Sequence, residues 1–244
     1  MIRLSSHNNI VTMTLNRPSK RNALSLNLIK SMHEKLDEVE ADKTMRVFML
    51  CGEGQSFCAG MDLKGVIDTP AEMKEMLSLL SDATLRIRSL PVPTIAVVQG
   101  AAVGGGCGLM IVCDFSFTHP KAKIGYPEVD IGVCPAVVAP WLIKKIGAGK
   151  ARAMLLAGGT ISGEQSLQAG LATHLCELEK LPSAANEFAI NLCRGGKHAM
   201  AITKKWLNEL DDSQNELILK KASQLSSEVI SGEEAQNRLR PLYE

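Results

Sequence analysis

The chain has 244 residues, enough for one enzyme-sized core, and its 27 Lys and Arg against 26 Asp and Glu leave a formal net charge of +1. That balance, the lack of a basic run interleaved with aromatics, and a total of five Phe, two Tyr and two Trp argue against a nucleic-acid partner. Seven cysteines (Cys51, Cys58, Cys107, Cys113, Cys134, Cys176 and Cys193) are odd in number and never spaced Cys-x-x-Cys, which reads as reduced core thiols of a cytoplasmic protein.

Met1 to Asn9 carries neither an apolar signal core nor an Arg-rich presequence. Ile10 to Leu15 alternates apolar residues with Thr and predicts a strand, turned by Asn16-Arg17-Pro18. From Ser25, Leu28, Ile29, Met32, Leu36 and Val39 recur at helical spacing. Met45 to Cys51 is a short apolar strand, followed by a loop from Gly52 and then Phe57 to Leu63. Thr69-Pro70-Ala71-Glu72 has the form of a capping box with Pro at the first helical position. It predicts a helix that turns Met73, Leu77, Leu80 and Ile87 inward and stops before Pro91. Thr94 to Val98 reads as a buried strand, Gly104 to Gly106 as a glycine triplet, and the next residues as a short apolar helix to about Cys113. The charge-free stretch from Pro91 to Cys113 reaches membrane-spanning length, but Pro91, Pro93, the glycines and Gln99 break it, so no membrane segment is expected.

Phe115 to Thr118 is a further strand, Lys123 to Tyr126 an extended piece and Pro127 to Asp130 a turn. Strands alternating with helices predict parallel pairing through right-handed crossovers. Beyond Pro135 helices dominate: Ala136 to Ile146, Lys150 to Ala157, a second capping box at Ser162 to Gln165 with its helix ending at Gly170, then Ser183 to Arg194, Ala199 to Leu210 and Ser213 to Ile230. The last is read as capped by Ser213 with Glu216 and stopped at Gly232. The expected class is α/β, a spiral core over residues 1–134 followed by a helical C-terminal region over 135–244.

Familiar catalytic patterns fail. Gly104 to Leu109 lacks the third glycine of a dinucleotide fingerprint, and no P-loop, Gly-x-Ser-x-Gly or His-Glu-x-x-His occurs. The five histidines are far apart, so no metal site is expected. Two loops remain, each following a strand and each rich in small residues: Phe57 to Lys64, and the triplet. In a parallel sheet both lie beyond the strand carboxyl ends, the usual ligand edge, where backbone amides could converge on a developing oxyanion. The same residues also suit close strand–helix packing, and the residues alone leave both readings open.

Asn16-Arg17-Pro18 with Asn22-Ala23-Leu24, Phe57-x-Ala59-Gly60-x-Asp62-Leu63, Gln99-Gly100-Ala101-Ala102-x-Gly104-Gly105-Gly106, Cys113-Asp114 and Pro127-Glu128-x-x-Ile131-Gly132 together resemble the crotonase (enoyl-CoA hydratase/isomerase) superfamily in order and spacing over nearly the whole chain. The resemblance implies a crotonase-like ββα spiral core carrying CoA-binding and oxyanion loops, a helical trimerisation region and an acyl-CoA thioester substrate. It implies a homotrimer or dimer of trimers, and no separate cofactor, since coenzyme A is part of the substrate. The Met61 and Gly105 amides would form the oxyanion hole and Glu128 would be the acid/base. Ala23, Ala59, Gly60, Asp62, Leu63, Gly104, Gly106 and Gly108 would border the substrate, with Asp62 also capping the turn after its loop and Asp130 holding the turn after Glu128.

Two departures stand beside the match. Hydratases of the family usually carry a second glutamate where this chain has Gly108, and no acidic residue lies between Gly132 and Lys150. One carboxylate suffices to move a proton along an enoyl chain, and some branches resembling hydratases of branched or carboxylated enoyl-CoAs also have glycine there, so hydration and isomerisation both stay open. The C-terminal segment from Glu234 is shorter than the family's, leaving Arg238 and Arg240 as candidate CoA-phosphate donors. A catalytically weak CoA-thioester-binding protein is the alternative expectation.

Overall fold

In the computed structural model, residues 1–213 and 215–242 are described. Strand β1 (Ile2–His7) turns into β2 (Ile10–Leu15) through Asn8 and Asn9, both at positive φ (51° and 62°), the backbone that a two-residue antiparallel hairpin demands and asparagine tolerates. Helix α1 (Leu26–Ala41) buries Leu28, Ile29, Met32, Leu36 and Val39, and its N-cap Ser25 accepts from the Leu28 amide. There follow β3 (Val47–Gly52), α2 (Pro70–Ser89) and β4 (Thr94–Val98), the last with every residue buried, as a strand covered on both faces must be. Next come β5 (Ala102–Val103), α3 (Gly105–Ile111), β6 (Phe115–Thr118) and β7 (Lys123–Gly125).

The C-terminal half supplies α4 (Ala139–Ile146), α5 (Ala148–Ala157), β8 (Thr160–Ser162), α6 (Gly163–Ala169), β9 (His174–Leu175), α7 (Leu181–Cys193), α8 (Lys197–Leu210), α9 (Glu216–Ile230) and α10 (Glu233–Leu239). The main sheet has the order β1-β2-β3-β4-β6-β9, parallel at every pairing after the first hairpin, as the strand–helix alternation predicts. A second sheet, β5-β7-β8, is parallel at β5–β7 and antiparallel at β7–β8. The helix-rich part thus returns one strand to each sheet. One face of the main sheet packs on α1, α2 and α3 in a core that also takes in Trp141, Leu219, Ile230 and Leu239; the other face, with Val47, Met49, Ile95 and Val97, is covered by Leu181, Ala185 and Ala189 of α7.

A buried ion network fixes α8 to the edge of this core. Lys204 Nζ lies 2.7 Å from Asp114 Oδ2 and 2.9 Å from the Val92 carbonyl, while Asp114 accepts from the Thr94 amide and hydroxyl. Arg88 pairs with Asp211, just past the end of α8, at 2.8 Å. Burial pulls the Lys204 ammonium below its usual range, opposed by Asp114.

Several expectations are corrected. Thr69 makes no cap bond, because its hydroxyl turns back and donates to the Val66 carbonyl, so Pro70 alone marks the start of α2. Helix α9 begins at Glu216 under Asn215, not Ser213, whose hydroxyl donates to Asp211. The helix expected from Ala136 starts at Ala139. Strand β1 is an edge strand buried only at Ile2, so it carries no apolar alternation to read, and β5, β8 and β9 are two or three residues long, too short for a period. The box at Ser162 forms in full: Gln165 N donates to Ser162 Oγ at 3.1 Å and Ser162 N to Gln165 Oε1 at 2.9 Å. Ser162→Ala is therefore expected to cost about 1 kcal/mol of stability in urea unfolding, and Thr69→Ala less than about half of that; equal losses would contradict the difference between the two caps.

Candidate active site

The two small-residue loops meet through a short backbone ladder. Cys58 N donates to the Ala101 carbonyl at 2.8 Å and Val103 N to the Cys58 carbonyl at 3.0 Å, which lays residues 59–61 beside 103–105. On the other edge Leu24 N donates to the Gly60 carbonyl and Asp62 N to the Leu24 carbonyl. Because successive residues of an extended chain point to opposite sides, the Met61 N–H is turned away from Leu24. Among the described residues it meets no acceptor. Gly105 is the first residue of α3, so its N–H has no partner inside the helix and lies at the positive end of the helix dipole.

The triplet is required by close approach. Gly104 sits at φ 55°, ψ −122°, pinned by its amide to the Gly125 carbonyl at 2.9 Å, and a Cβ there would come within 2.9 Å of Glu128 Oε1. At Gly106 a Cβ would strike the Cys58 carbonyl oxygen at 2.4 Å, closing off the ladder that aligns the loops.

Glu128 opens a single 3-10 turn (Glu128–Ile131) between Pro127 and the left-handed Gly132. Its Oε2 is enclosed and has no hydrogen-bond partner among the described residues. Burial pushes its carboxyl from 4.5 up to about 7; its own backbone amide opposes the shift and the charge of Asp130 adds to it. Glu128, Met61, Gly104 and Gly105 line one cavity of about 190 Å³, whose remaining wall is mainly apolar side chains. A groove of about 640 Å³ between α4, α5 and α9 is larger, but its lining is mainly apolar, with Trp141, Leu156, Ile218 and Leu225, and takes in neither Glu128 nor the two small-residue loops. The two loops and the Glu128 carboxyl therefore share the smaller space.

Ala59, Gly60 and Leu63 line this cavity as well; Ala23, Asp62, Gly106 and Gly108 do not. Asp62 makes no cap bond. It pairs instead with Arg17 at 2.6 Å, and the same guanidinium donates to the Ala23 carbonyl at 3.1 Å, bracing the Met61 loop from behind. Gly108 lies beneath Val138, whose Cγ1 would be 2.7 Å from an added Cβ, so that position has no room for a second carboxylate. Arg238 pairs with Glu234 and donates to the Asp130 carbonyl, Arg240 pairs with Asp68, and neither lines the cavity. Asp130 does hold the turn, accepting from the Gly159 amide at 3.0 Å. Motif reasoning missed the wall supplied by Ser226 and Ile230 of α9, which carry no signal beyond helical spacing.

A family model described as enoyl-CoA hydratase/isomerase matches residues 5–242. The methylglutaconyl-CoA hydratase, mitochondrial, of Mus musculus is 31% identical over 207 residues, 82% of this chain and 66% of that protein. The short-chain-enoyl-CoA hydratase of Clostridium acetobutylicum is 29% identical over 215 residues, 84% of this chain and 80% of its own length. Among solved structures, the enoyl-CoA hydratase from Bacillus halodurans superposes with a TM-score of 0.91 at 24% identity, covering 98% of this chain and 99% of that one. This likeness establishes the crotonase fold.

The upward shift of Glu128 has a sign that stability can test. The folded protein holds that proton more tightly than the unfolded chain, so the contribution is full below 4.5 and lost as pH rises through about 7. Glu128→Gln, fixed in the neutral form, is expected to be more stable than the parent at about pH 8, by on the order of 3 kcal/mol. The difference should close toward pH 4.5 in urea unfolding. A variant no more stable than the parent at the higher pH would contradict the buried carboxylate.

Proposed function

The chain belongs to the enoyl-CoA hydratase/isomerase family, and from that premise we propose that it works on an acyl-CoA thioester with Glu128 as its one acid/base and the Met61 and Gly105 amides as its oxyanion hole. The observation that carries this reading is the shared cavity: the desolvated carboxyl of Glu128 and the two residues with unbonded amides line the same small space. Charge that develops on a thioester oxygen meets two fixed donors there, and losing one such donor typically costs about 3 to 4 kcal/mol in the barrier. Ala59, Gly60, Leu63 and Ala23 border the CoA portion in this reading, with Met61 contributing its backbone rather than its side chain.

Hydration is the primary reaction. Glu128 as carboxylate takes a proton from water while the water oxygen bonds to the β-carbon. The double-bond electrons pass to the thioester oxygen, and the enolate so formed is held by the two amides. Glu128 then returns its proton to the α-carbon, so water is added with no net change in the enzyme. A second reading is favoured by Gly108 beneath Val138, which leaves no second carboxylate to hold the water. In that reading Glu128 removes an α-proton from a β,γ-enoyl thioester and returns it to the γ-carbon. Both reactions share the enolate and the base.

We also propose assembly as a homotrimer or dimer of trimers in the cytoplasm. Exposed Ile202, Trp206, Leu207 and Leu210 along α8 support the assembly, as one apolar stripe without a cover in a single chain. No helix among the described residues is long and apolar enough to cross a membrane. A single-chain mass in sedimentation equilibrium would sink the oligomer.

Turnover of enoyl-CoAs in deuterated water separates the chemical readings: label at the γ-carbon reports isomerisation, and a hydroxyl at the β-carbon reports hydration. Glu128→Gln is expected to lower kcat by about a hundredfold to ten-thousandfold. Since the base must start ionised, kcat/KM of the parent should rise with pH through about 7. Full activity in Glu128→Gln would remove Glu128 from the reaction, and tight thioester binding without turnover would leave a binding protein.

A further inference from the structure

Beyond Glu128 the cavity is closed by Leu77 and Leu80 of α2, Val138 before α4, and Ile230 of α9. All four are at most 5% exposed, so this wall is core rather than loose surface. The cavity volume of about 190 Å³, open on one side, is little more than the ~150 Å³ in which an engineered apolar cavity holds benzene, roughly six non-hydrogen atoms. The Ser226 hydroxyl in its lining is already engaged, donating to the Cys134 carbonyl at 3.0 Å. Among the described residues of the lining, Glu128 is the one charged side chain, and no Lys, Arg or His is present.

Resting on the acyl-CoA reading above, we propose that this cavity selects short, uncharged acyl groups of about four to six carbons, with Leu77 and Ile230 setting the length limit. A longer chain meets buried core side chains. An acyl group ending in a second carboxylate is refused for a different reason: it would leave water to lie near Glu128, with no cation in the lining and with the Met61 and Gly105 amides taken up by the thioester oxygen, so nothing replaces its hydration.

Saturated acyl-CoAs cannot turn over, so their binding measures selection apart from catalysis. Titration calorimetry of the whole protein with butyryl-, hexanoyl-, decanoyl- and glutaryl-CoA is expected to give decanoyl-CoA a Kd about tenfold or more above that of hexanoyl-CoA. Glutaryl-CoA should bind about a hundredfold more weakly than butyryl-CoA. Ile230→Ala, with Leu77→Ala as a second opening should the first fail to fold, is expected to bring decanoyl-CoA within about threefold of hexanoyl-CoA while glutaryl-CoA stays excluded. Equal affinities for hexanoyl- and decanoyl-CoA, or for butyryl- and glutaryl-CoA, in the parent overturn the proposal even if the enzyme is active. A parent that discriminates while no folded variant relaxes the limit overturns the assignment of the wall. Selective binding without turnover of the matching enoyl-CoAs would instead count against the acid/base reading and leave the selection standing.

Discussion

A largely desolvated carboxyl group set against bare backbone is the constraint on which the rest of this structure depends. Glu128 can approach so closely only because Gly104 has no side chain and holds a left-handed φ that most residues resist. That backbone is in turn fixed from two sides, by the Gly104–Gly125 hydrogen bond and by the Cys58 ladder, which needs Gly106 bare as well. The sheet order does the long-range work, placing the end of β3, the start of α3 and the turn after β7 around one point.

The arrangement sacrifices stability at the site. An unpartnered buried carboxylate is unfavourable, and its proton is held to a higher pH as a result. The compensation lies elsewhere, in a core that runs from the first hairpin to α10 and in the Lys204–Asp114–Arg88–Asp211 network that fixes α8. Arg17 and Asp62 extend the same division of labour. Their ion pair does not line the cavity, yet it braces the loop that carries Met61. Val138 packs over Gly108, and among the described residues Glu128 is the one charged side chain of the cavity.

Much of this was legible from residues alone, for identifiable reasons. The helical spacing in α1 and α2 and the uninterrupted apolar run of β4 reflect burial on one face or two, which sequence period reports directly. Glu128, Met61, Gly104 and Gly105 were gathered as a set by the family resemblance of their motifs rather than by residue type, and the fold brings those motifs to one cavity. What could not be read depends on non-local partners. Thr69 has the residue pattern of a cap but its hydroxyl found the Val66 carbonyl, and Asp62 found Arg17, 45 positions away. Strand β1 is held by its ladder to β2 rather than by an apolar face, and the α9 wall of the cavity is set by how α9 packs on α2. Gly106 and Gly108 read like Gly104 and Gly105 beside them, yet they serve packing against Cys58 and Val138.

The most direct measurement of the account is a crystal structure of the protein with a saturated acyl-CoA. The account predicts the thioester oxygen about 2.9 Å from both the Met61 and the Gly105 amide nitrogens. It also predicts the Glu128 carboxyl beside the α-carbon, with the acyl end against Ile230. A thioester bound away from those amides, for instance in the groove between α4 and α9, or an α-carbon out of reach of Glu128, would contradict it.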